Sequence, residues 1–252
     1  MSKASRLAGK IHKWLALALA IPFLFWFVSG LFFAIVPIEQ VRSEHMVAEQ
    51  PPVPISMADA AAGLQRLHAA GAQPGEKIEF RSLLGQPVAA VTAAGARPRL
   101  YHLATGRPLS PIPAPLAVQI AERDHAGDQR AVGVTLVEEE SPEYRGALPA
   151  WRVDFDDGAS RAVYVAADTG AVGARRSTLW RTYDFLWSLH ILDFKNHEDF
   201  NTPLLIATAA FGLLVIFTGF VMFPSRLGYN SWKRRRQAAR QRRLDPDPSP
   251  QT

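Results

Sequence analysis

The chain has 252 residues, a formal net charge of +5 and no cysteine. Without cysteine it can form no disulfide, iron–sulfur cluster, c-type haem attachment or catalytic thiol. Any metal or cofactor must therefore be held by histidine, carboxylate or methionine side chains.

An uncharged apolar run at residues 14–36 follows a basic N-terminus at residues 1–13. As a helix rising about 1.5 Å per residue, this run is long enough to cross a hydrocarbon core about 30 Å thick. A cleaved signal peptide is the alternative. Its apolar region usually holds only about 7–15 residues, however, and a small-residue cleavage site follows it, which is not found here. We therefore predict a transmembrane helix over residues 14–36, with a kink at Pro22.

A linker at residues 37–54 is predicted to lead into two similar units, at residues 55–109 and 110–174. Each unit contains two short strands around a glycine-containing turn, a central tyrosine and a terminal Thr-Gly pair. The two tyrosines, Tyr101 and Tyr164, lie 63 residues apart. The same pattern therefore occurs twice in the chain.

Each unit is predicted to start with a helix and a first strand. The helices are expected to begin at Ser56 and Ser110, because serine can cap a first helical turn. The first strands are placed at residues 77–84 and 131–140. Apolar and polar side chains alternate along residues 151–156, which is the period of a strand with one buried face. The expected fold class is a membrane α+β protein, with two transmembrane helices that bracket two helix plus antiparallel sheet units.

The remainder of the chain is predicted to return to the membrane. Residues 175–202 read as an interfacial amphipathic segment, and residues 203–223 as a second transmembrane helix without a charged residue. Residues 224–252 form a basic tail, whose polar, proline-rich end at residues 245–252 is expected to be disordered. The tail predicts contact with anionic membrane lipids, because it starts directly after a span. That position argues against a nucleic-acid arm, so no nucleic-acid partner is expected.

The charge distribution predicts the orientation. The flanks outside the two apolar runs hold 12 Lys/Arg and 2 Asp, whereas residues 37–202 hold 16 Lys/Arg and 21 Asp/Glu. Lys and Arg near the ends of spans are enriched on the cytoplasmic side. We therefore expect a two-pass protein of the bacterial inner membrane, with both termini cytoplasmic and residues 37–202 periplasmic.

Several stretches together resemble the PepSY-associated transmembrane family. WRVDFDDGASRAVYVAADTGAV is similar to the PepSY domain, whose paired strands end in D-x-x-T-G or D-T-G; the first unit lacks the Asp before Thr105. Residues 6–33 resemble the family's opening, and LWSLHILDF with FTGFVMF resembles its later L-H and T-G signature. Larger members resemble b-type haem membrane reductases with four spans. The resemblance thus implies haem b and a role in envelope iron or siderophore acquisition.

His12 and His190 fall where the family's motifs place histidine, so the resemblance implies them as haem ligands. Imidazole is a strong axial donor, and a second axial histidine suits iron to electron transfer. The two are expected near opposite membrane faces and so cannot share one iron. His197 and His45 are the external candidates for a companion of His190, and His12 would need a second subunit. A homodimer would supply four spans. The remaining histidines are predicted to be surface residues: His68, His102 and His125.

Other interpretations compete with haem-dependent electron transfer to a ferric siderophore. His12 and His190 can be purely structural, one at the headgroups and one packed among aromatic residues. The tandem units can also form a non-enzymatic, membrane-tethered module that binds or regulates a protein partner. No hydrolase or nucleotide-binding motif is found.

A group of acids offers oxygen ligands for a hard cation, although acidic strand edges are commonly only solvated: Glu138, Glu139, Glu140, Glu143, Asp154, Asp156 and Asp157.

Overall fold

The protein is described by a computed structural model that covers residues 3–50, 53–73, 75–226, 235–238 and 240. It contains helices and two antiparallel sheets, and it divides into two compact units. One unit is formed by residues 32–185, and the other by residues 1–31 with 186–252. The predicted disordered end, residues 245–252, lies outside the described residues.

The helices and strands follow one another in this order: α1 (Lys3–Ala18), α2 (Ala20–Ile35), α3 (Ile38–Val41), a 3-10 turn (Glu44–Met46), α4 (Met57–Ala69), β1 (Lys77–Leu83), β2 (Gln86–Thr92), β3 (Arg99–His102), α5 (Ala114–Asp124), β4 (Ala131–Val137), β5 (Ala150–Phe155), β6 (Ala162–Ala166), β7 (Val172–Arg176), α6 (Thr178–Ile191) and α7 (Pro203–Arg226).

The predicted repeat is visible in the strand register of residues 32–185. Ala89 pairs with Tyr101 between β2 and β3, and Arg152 pairs with Tyr164 between β5 and β6. Each partner in the second sheet lies 63 residues after its counterpart in the first. One sheet has the order β1-β2-β3 and the other β4-β5-β6-β7. The final strand, β7, was not predicted.

The two repeats share a core and are not independent globules. Helix α5 packs through Ile120 and its neighbours against Val88 of the first sheet and Val153 of the second. The opposite face of the first sheet buries Tyr101 against Leu67 of α4. Strand β2 is therefore covered on both faces, which explains its continuous run of buried residues.

Of the two predicted helix starts, the one at Ser56 is confirmed and the one at Ser110 is wrong. Ser56 caps α4, since its Oγ accepts a hydrogen bond from the Asp59 N–H at 3.1 Å. Helix α5 begins at Ala114 and not at Ser110. Residues that precede a proline disfavour the helical conformation, and Pro111 and Pro113 delay the start. The Ser110 Oγ instead accepts from the Leu100 N–H at 2.5 Å.

In the other unit, the first apolar run is broken and is not one straight helix. Residues Arg6–Ala18 and Ala20–Ile35 meet at a bend of 61°. Proline has no N–H, and its ring clashes with the carbonyl four residues earlier. For Pro22 that carbonyl belongs to Ala18, the last residue of α1. The kink predicted at Pro22 therefore lies about one helical turn earlier in the chain.

Among the described helices, Pro203–Phe223 is long and apolar enough by itself to cross a membrane. The bent pair α1 and α2 passes the same test only when taken together, as a broken span or a re-entrant loop. Helix α7 begins where predicted: the Thr202 Oγ accepts from the Leu205 N–H at 3.2 Å, and Pro203 occupies the first turn.

Candidate functional site

His190 lies near the end of α6 and contacts a serine of α2. Its Nδ1 is 2.8 Å from the Ser29 Oγ, and Ser29 is fully buried. The Ser29 hydroxyl donates to the Phe25 carbonyl at 2.5 Å, so the neutral ring fits this contact by donating from Nδ1. Burial lowers the pKa of His190 below its ordinary value, which favours that neutral ring. The lone pair is then on Nε2, the usual form of a metal-binding imidazole.

Aromatic side chains fix the surroundings of His190. The Trp26 indole N–H donates to the His190 carbonyl at 2.7 Å, which ties α2 to the end of α6. The Trp187 ring is nearly parallel to the imidazole, with centroids 6.3 Å apart. Phe200 packs edge-on against Trp187 at 5.6 Å. One aromatic ring, that of Trp187, therefore lies beside His190.

A carboxylate that the sequence analysis did not select organises the loop after α6. Asp193 is only 7% exposed. Its Oδ1 accepts from the N–H groups of Lys195 and Asn196 at 3.1 Å, and its Oδ2 from those of Glu198 and Asp199 at 3.0 Å. Burial alone would raise the pKa of Asp193, but the four backbone donors together lower it well below its ordinary value.

The loop ordered by Asp193 holds Trp187 in turn. The His197 carbonyl accepts from the Trp187 indole N–H at 3.1 Å. His197 has a positive φ of 60°, and Leu192, at the end of α6, has a φ of 53°. Such left-handed backbone is costly for residues other than glycine, so the surrounding hydrogen bonds must maintain it. Asp193 thus acts on His190 indirectly, as a positioning residue.

His12 lies on α1 and contacts α7. Its Nδ1 is 3.0 Å from the Val215 carbonyl and 3.1 Å from the Thr218 Oγ. A carbonyl can only accept, so the neutral ring donates from Nδ1 here as well. Gly219 lies against the ring, because a Cβ built on it would be 3.5 Å from the imidazole Cε1.

The four predicted histidines are not gathered at one point. His12 contacts α7, whereas His190 contacts α2. His197 could share a helical face with His190 only if one helix contained both residues. Helix α6 ends at Ile191, so it does not reach His197. His45 is exposed and belongs to the other compact unit. No group of three or more histidine or acidic residues that could hold a metal ion is found within the described part of the chain.

Within the acidic group of the repeats, Glu143, Asp154 and Asp157 pair with arginine. Glu143 accepts from Arg181 at 2.6 Å and from the Tyr164 hydroxyl at 3.0 Å. Burial raises the pKa of Glu143, but these donors bring it below its ordinary value. Asp154 accepts from Arg152 at 2.8 Å. These contacts assign Glu143 and Asp154 to ion pairing.

One of the predicted surface histidines is buried. His125 is 6% exposed, and its ring packs against Phe155 with centroids 5.0 Å apart. The expectation of a surface residue is therefore wrong for His125. It follows directly after α5, and its Nε2 lies 3.2 Å from the Gln129 Oε1.

Two of the three site residues that the sequence analysis did not select share one signal. Ser29 and Thr218 are hydroxyl residues inside otherwise apolar runs, and each contacts one of the two family-matched histidines. Polar groups in apolar helices need a partner, so their position alone identifies them as candidates. Asp193 carries no comparable signal, since its partners are backbone groups.

Comparison with known proteins gives a match along most of the chain. The family model described as PepSY-associated TM region matches residues 9–246. No curated protein and no solved structure matches.

Proposed function

The chain belongs to the PepSY-associated TM family, and on this premise we propose that it binds haem b through His190 and His12. We place it in the bacterial inner membrane as a two-pass protein, with its repeats in the periplasm. Its function would be electron transfer in envelope iron acquisition, with a ferric siderophore as the terminal acceptor.

The observation that carries this proposal is the matched anchoring of the two histidines. Each holds Nδ1 against an oxygen of a neighbouring helix, the Val215 carbonyl for His12 and the Ser29 hydroxyl for His190. Histidines that bind metals generally donate from their other ring nitrogen to such an oxygen, which fixes the tautomer and the ring orientation. The residues present therefore fit a haem ligand at each position.

The protein's own residues would hold and shield the group. His190 and His12 would ligate through Nε2, while Ser29 and Thr218 hold the opposite ring edges. Trp187 would limit the access of water beside His190. Bound haem b supplies reversible one-electron chemistry at iron.

The contacts also bear on stoichiometry. His12 and His190 contact different helices, so each would need its second axial ligand from elsewhere. Another copy of this chain can provide it, and two copies together would have four spans. The membrane spans of one copy would be α7 and the bent pair α1 and α2.

An absorption spectrum of the full chain, purified in detergent after haem-replete expression, tests the proposal. We expect a Soret band that shifts on reduction with dithionite. His190→Ala removes one ligand and should abolish or visibly shift the band, and His12→Ala should do the same. His68→Ala is the matched control, because it removes an exposed imidazole from α4. The absence of a chromophore in the wild type, or an identical spectrum for His190→Ala, would refute the proposal.

A second candidate function, a tethered module that binds a partner, is favoured by a cavity between the repeats. The cavity has a volume of about 250 Å³, and Arg81, Leu84, Asp124 and Gly170 contribute to its walls.

Arg81 makes this cavity a candidate for binding an anion. Its Nε and Nη2 are shielded from solvent and have no acceptor among the described residues. The neighbouring acid Glu79 cannot serve as this acceptor, because it already forms an ion pair with Lys77 at 2.5 Å. Burial lowers the pKa of Arg81, as expected where a charge has lost water without gaining a partner. A carboxylate of a partner, entering the cavity, would supply the missing acceptor.

Arg81→Met tests this second candidate. If the site has evolved for a ligand, removing the unpaired charge should stabilise the free protein by about 1–3 kcal/mol, the usual cost of a buried unsatisfied donor. The variant should also lose the rise in unfolding temperature that a carboxylate probe, sodium acetate or citrate, gives to the wild type. An unchanged unfolding temperature in Arg81→Met, with no effect of either carboxylate on the wild type, would exclude the site.

A further inference from the structure

The outer edge of strand β4 exposes apolar side chains in the middle of a regular strand. β4 pairs with β5 on one side, and no described strand pairs with its other side. Val134 is 38% exposed and Leu136 is 41% exposed. They lie opposite Val153 and Trp151 of β5, and so on the face of the sheet that packs against α5. Exposed edges of this kind are templates for pairing with another strand.

The two ends of this strand carry opposite charges. Arg130 precedes β4, and its side chain lies 3.5 Å from Glu122 but remains 87% exposed. Three exposed acids follow the strand, at residues 138–140. A register irregularity between Ala131 and Gly133 limits the regular part of β4 to residues 133–137. The centre of that regular part is Thr135, which is exposed.

We propose that β4 pairs antiparallel with β4 of a second copy of this chain, around a two-fold axis at Thr135. In this register Thr135 lies opposite its own copy, and Val134 lies opposite Leu136 of the other copy. Apolar pairs and threonine pairs of this kind each contribute roughly 0.2–1 kcal/mol in a sheet. Arg130 of one copy then faces the acidic residues of the other.

The charges select both the partner and the direction. A parallel pairing would place the acids of residues 138–140 beside the same acids of the other copy, which is destabilising. The antiparallel pairing brings each acidic end to a basic end. Both copies are held in one membrane, so their effective concentration is high, and a contact of a few residues can suffice. This inference does not depend on whether haem binds.

The absence of native cysteine allows a direct test with single-cysteine variants of the full chain in membranes. Residues directly opposite in an antiparallel pair have Cα atoms about 4.5–5.5 Å apart, which suits a disulfide. Thr135→Cys should therefore form a disulfide dimer with copper phenanthroline at least tenfold faster than Met57→Cys. Met57 is a matched control, because it is 88% exposed and lies on α4.

A second cysteine position distinguishes the direction of the pair. Glu139 lies four residues beyond the axis, so its two copies would be roughly 26 Å apart in the antiparallel pair. Glu139→Cys should therefore cross-link no faster than Met57→Cys. Arg130→Glu in the Thr135→Cys background should slow the reaction, and adding Glu140→Arg should restore it.

Each outcome decides the proposal. A Thr135→Cys rate equal to that of Met57→Cys would overturn it, because the edges would then meet only by collision. Fast cross-linking of Glu139→Cys would also overturn it, because it would indicate a parallel pair. The haem spectrum is measured separately, so failure of this interface and failure of the proposed function are distinguishable.

Discussion

The loop after α6 offers the sharpest test of how the protein holds His190 in place. Asp193 accepts four backbone hydrogen bonds, two at each carboxylate oxygen. Asp193→Asn keeps one acceptor oxygen and replaces the other with an NH₂ group, so two of the four bonds are lost. Asp193→Ala loses all four. The two substitutions therefore form a graded series at one position.

The expected magnitude follows from the number of bonds. A hydrogen bond to a charged group contributes about 1.5–3 kcal/mol. Each amide released should thus exchange with solvent roughly tenfold to one-hundredfold faster. The assay is hydrogen–deuterium exchange, by mass spectrometry, on a peptide that covers residues 193–200 of the detergent-solubilised protein. We expect faster exchange of two amides in Asp193→Asn and of four in Asp193→Ala.

A control and a pH series complete the test. Asp199→Asn disturbs a single bond to the Asn201 N–H, in an exposed part of the same loop, and should leave the other amides protected. The pKa of Asp193 in the folded protein lies below its ordinary value of 3.8. Its contribution to stability is therefore present above pH 3.8 and is lost as the pH falls through the folded pKa. Unchanged protection in Asp193→Ala would refute the reasoning.

Three further predictions concern the packing of the repeats and the topology. Gly63→Ala should lower the free energy of unfolding by about 1–3 kcal/mol, because a Cβ there would clash with Leu103 Cδ1 and lie 2.8 Å from its Cγ. This exceeds the gain of about 1 kcal/mol from helix propensity, and a thermal unfolding curve shows which effect wins. Asp124→Ala should cost up to about 3 kcal/mol, since it leaves Arg175 without its two-bond partner, and Asp124→Ala combined with Arg175→Met should recover part of the loss. Alkaline phosphatase fused after residue 252 should be inactive, while an active fusion would contradict the proposed cytoplasmic C-terminus.

The repeats could be predicted because each depends on local rules. Alternating side chains and paired Thr-Gly turns indicate strands and their ends without knowledge of the tertiary fold. Gly95 and Gly158, in the predicted turns between paired strands, have φ values of 72° and 71°, which is the backbone that glycine was expected to allow there. The sharing of α5 between two sheets could not be predicted in this way. It depends on which of two apolar faces each sheet presents to the helix, and both faces of β2 are apolar.

The site could be predicted only as far as its histidines. The family resemblance selected His12 and His190, and the structure gives both the same kind of anchor. Their partners on neighbouring helices depend on helix packing, which hydropathy does not determine. The bend after Ala18 is a clear case, because a kink was expected at Pro22, whereas its angle of 61° follows from the packing of the helices.

The bend and the two anchors have a common physical basis. In an apolar environment a backbone carbonyl or a hydroxyl without a partner is costly, so every interruption of a helix must be compensated nearby. The hydroxyls of Ser29 and Thr218 donate hydrogen bonds to carbonyls of their own helices, those of Phe25 and Leu214. Their oxygens then remain able to accept, and an imidazole N–H is the donor that each contacts. A hydroxyl inside an apolar helix therefore sets the tautomer of a histidine on the neighbouring helix. For this reason Ser29→Ala should alter the environment of His190 while leaving its ligand atom, Nε2, in place.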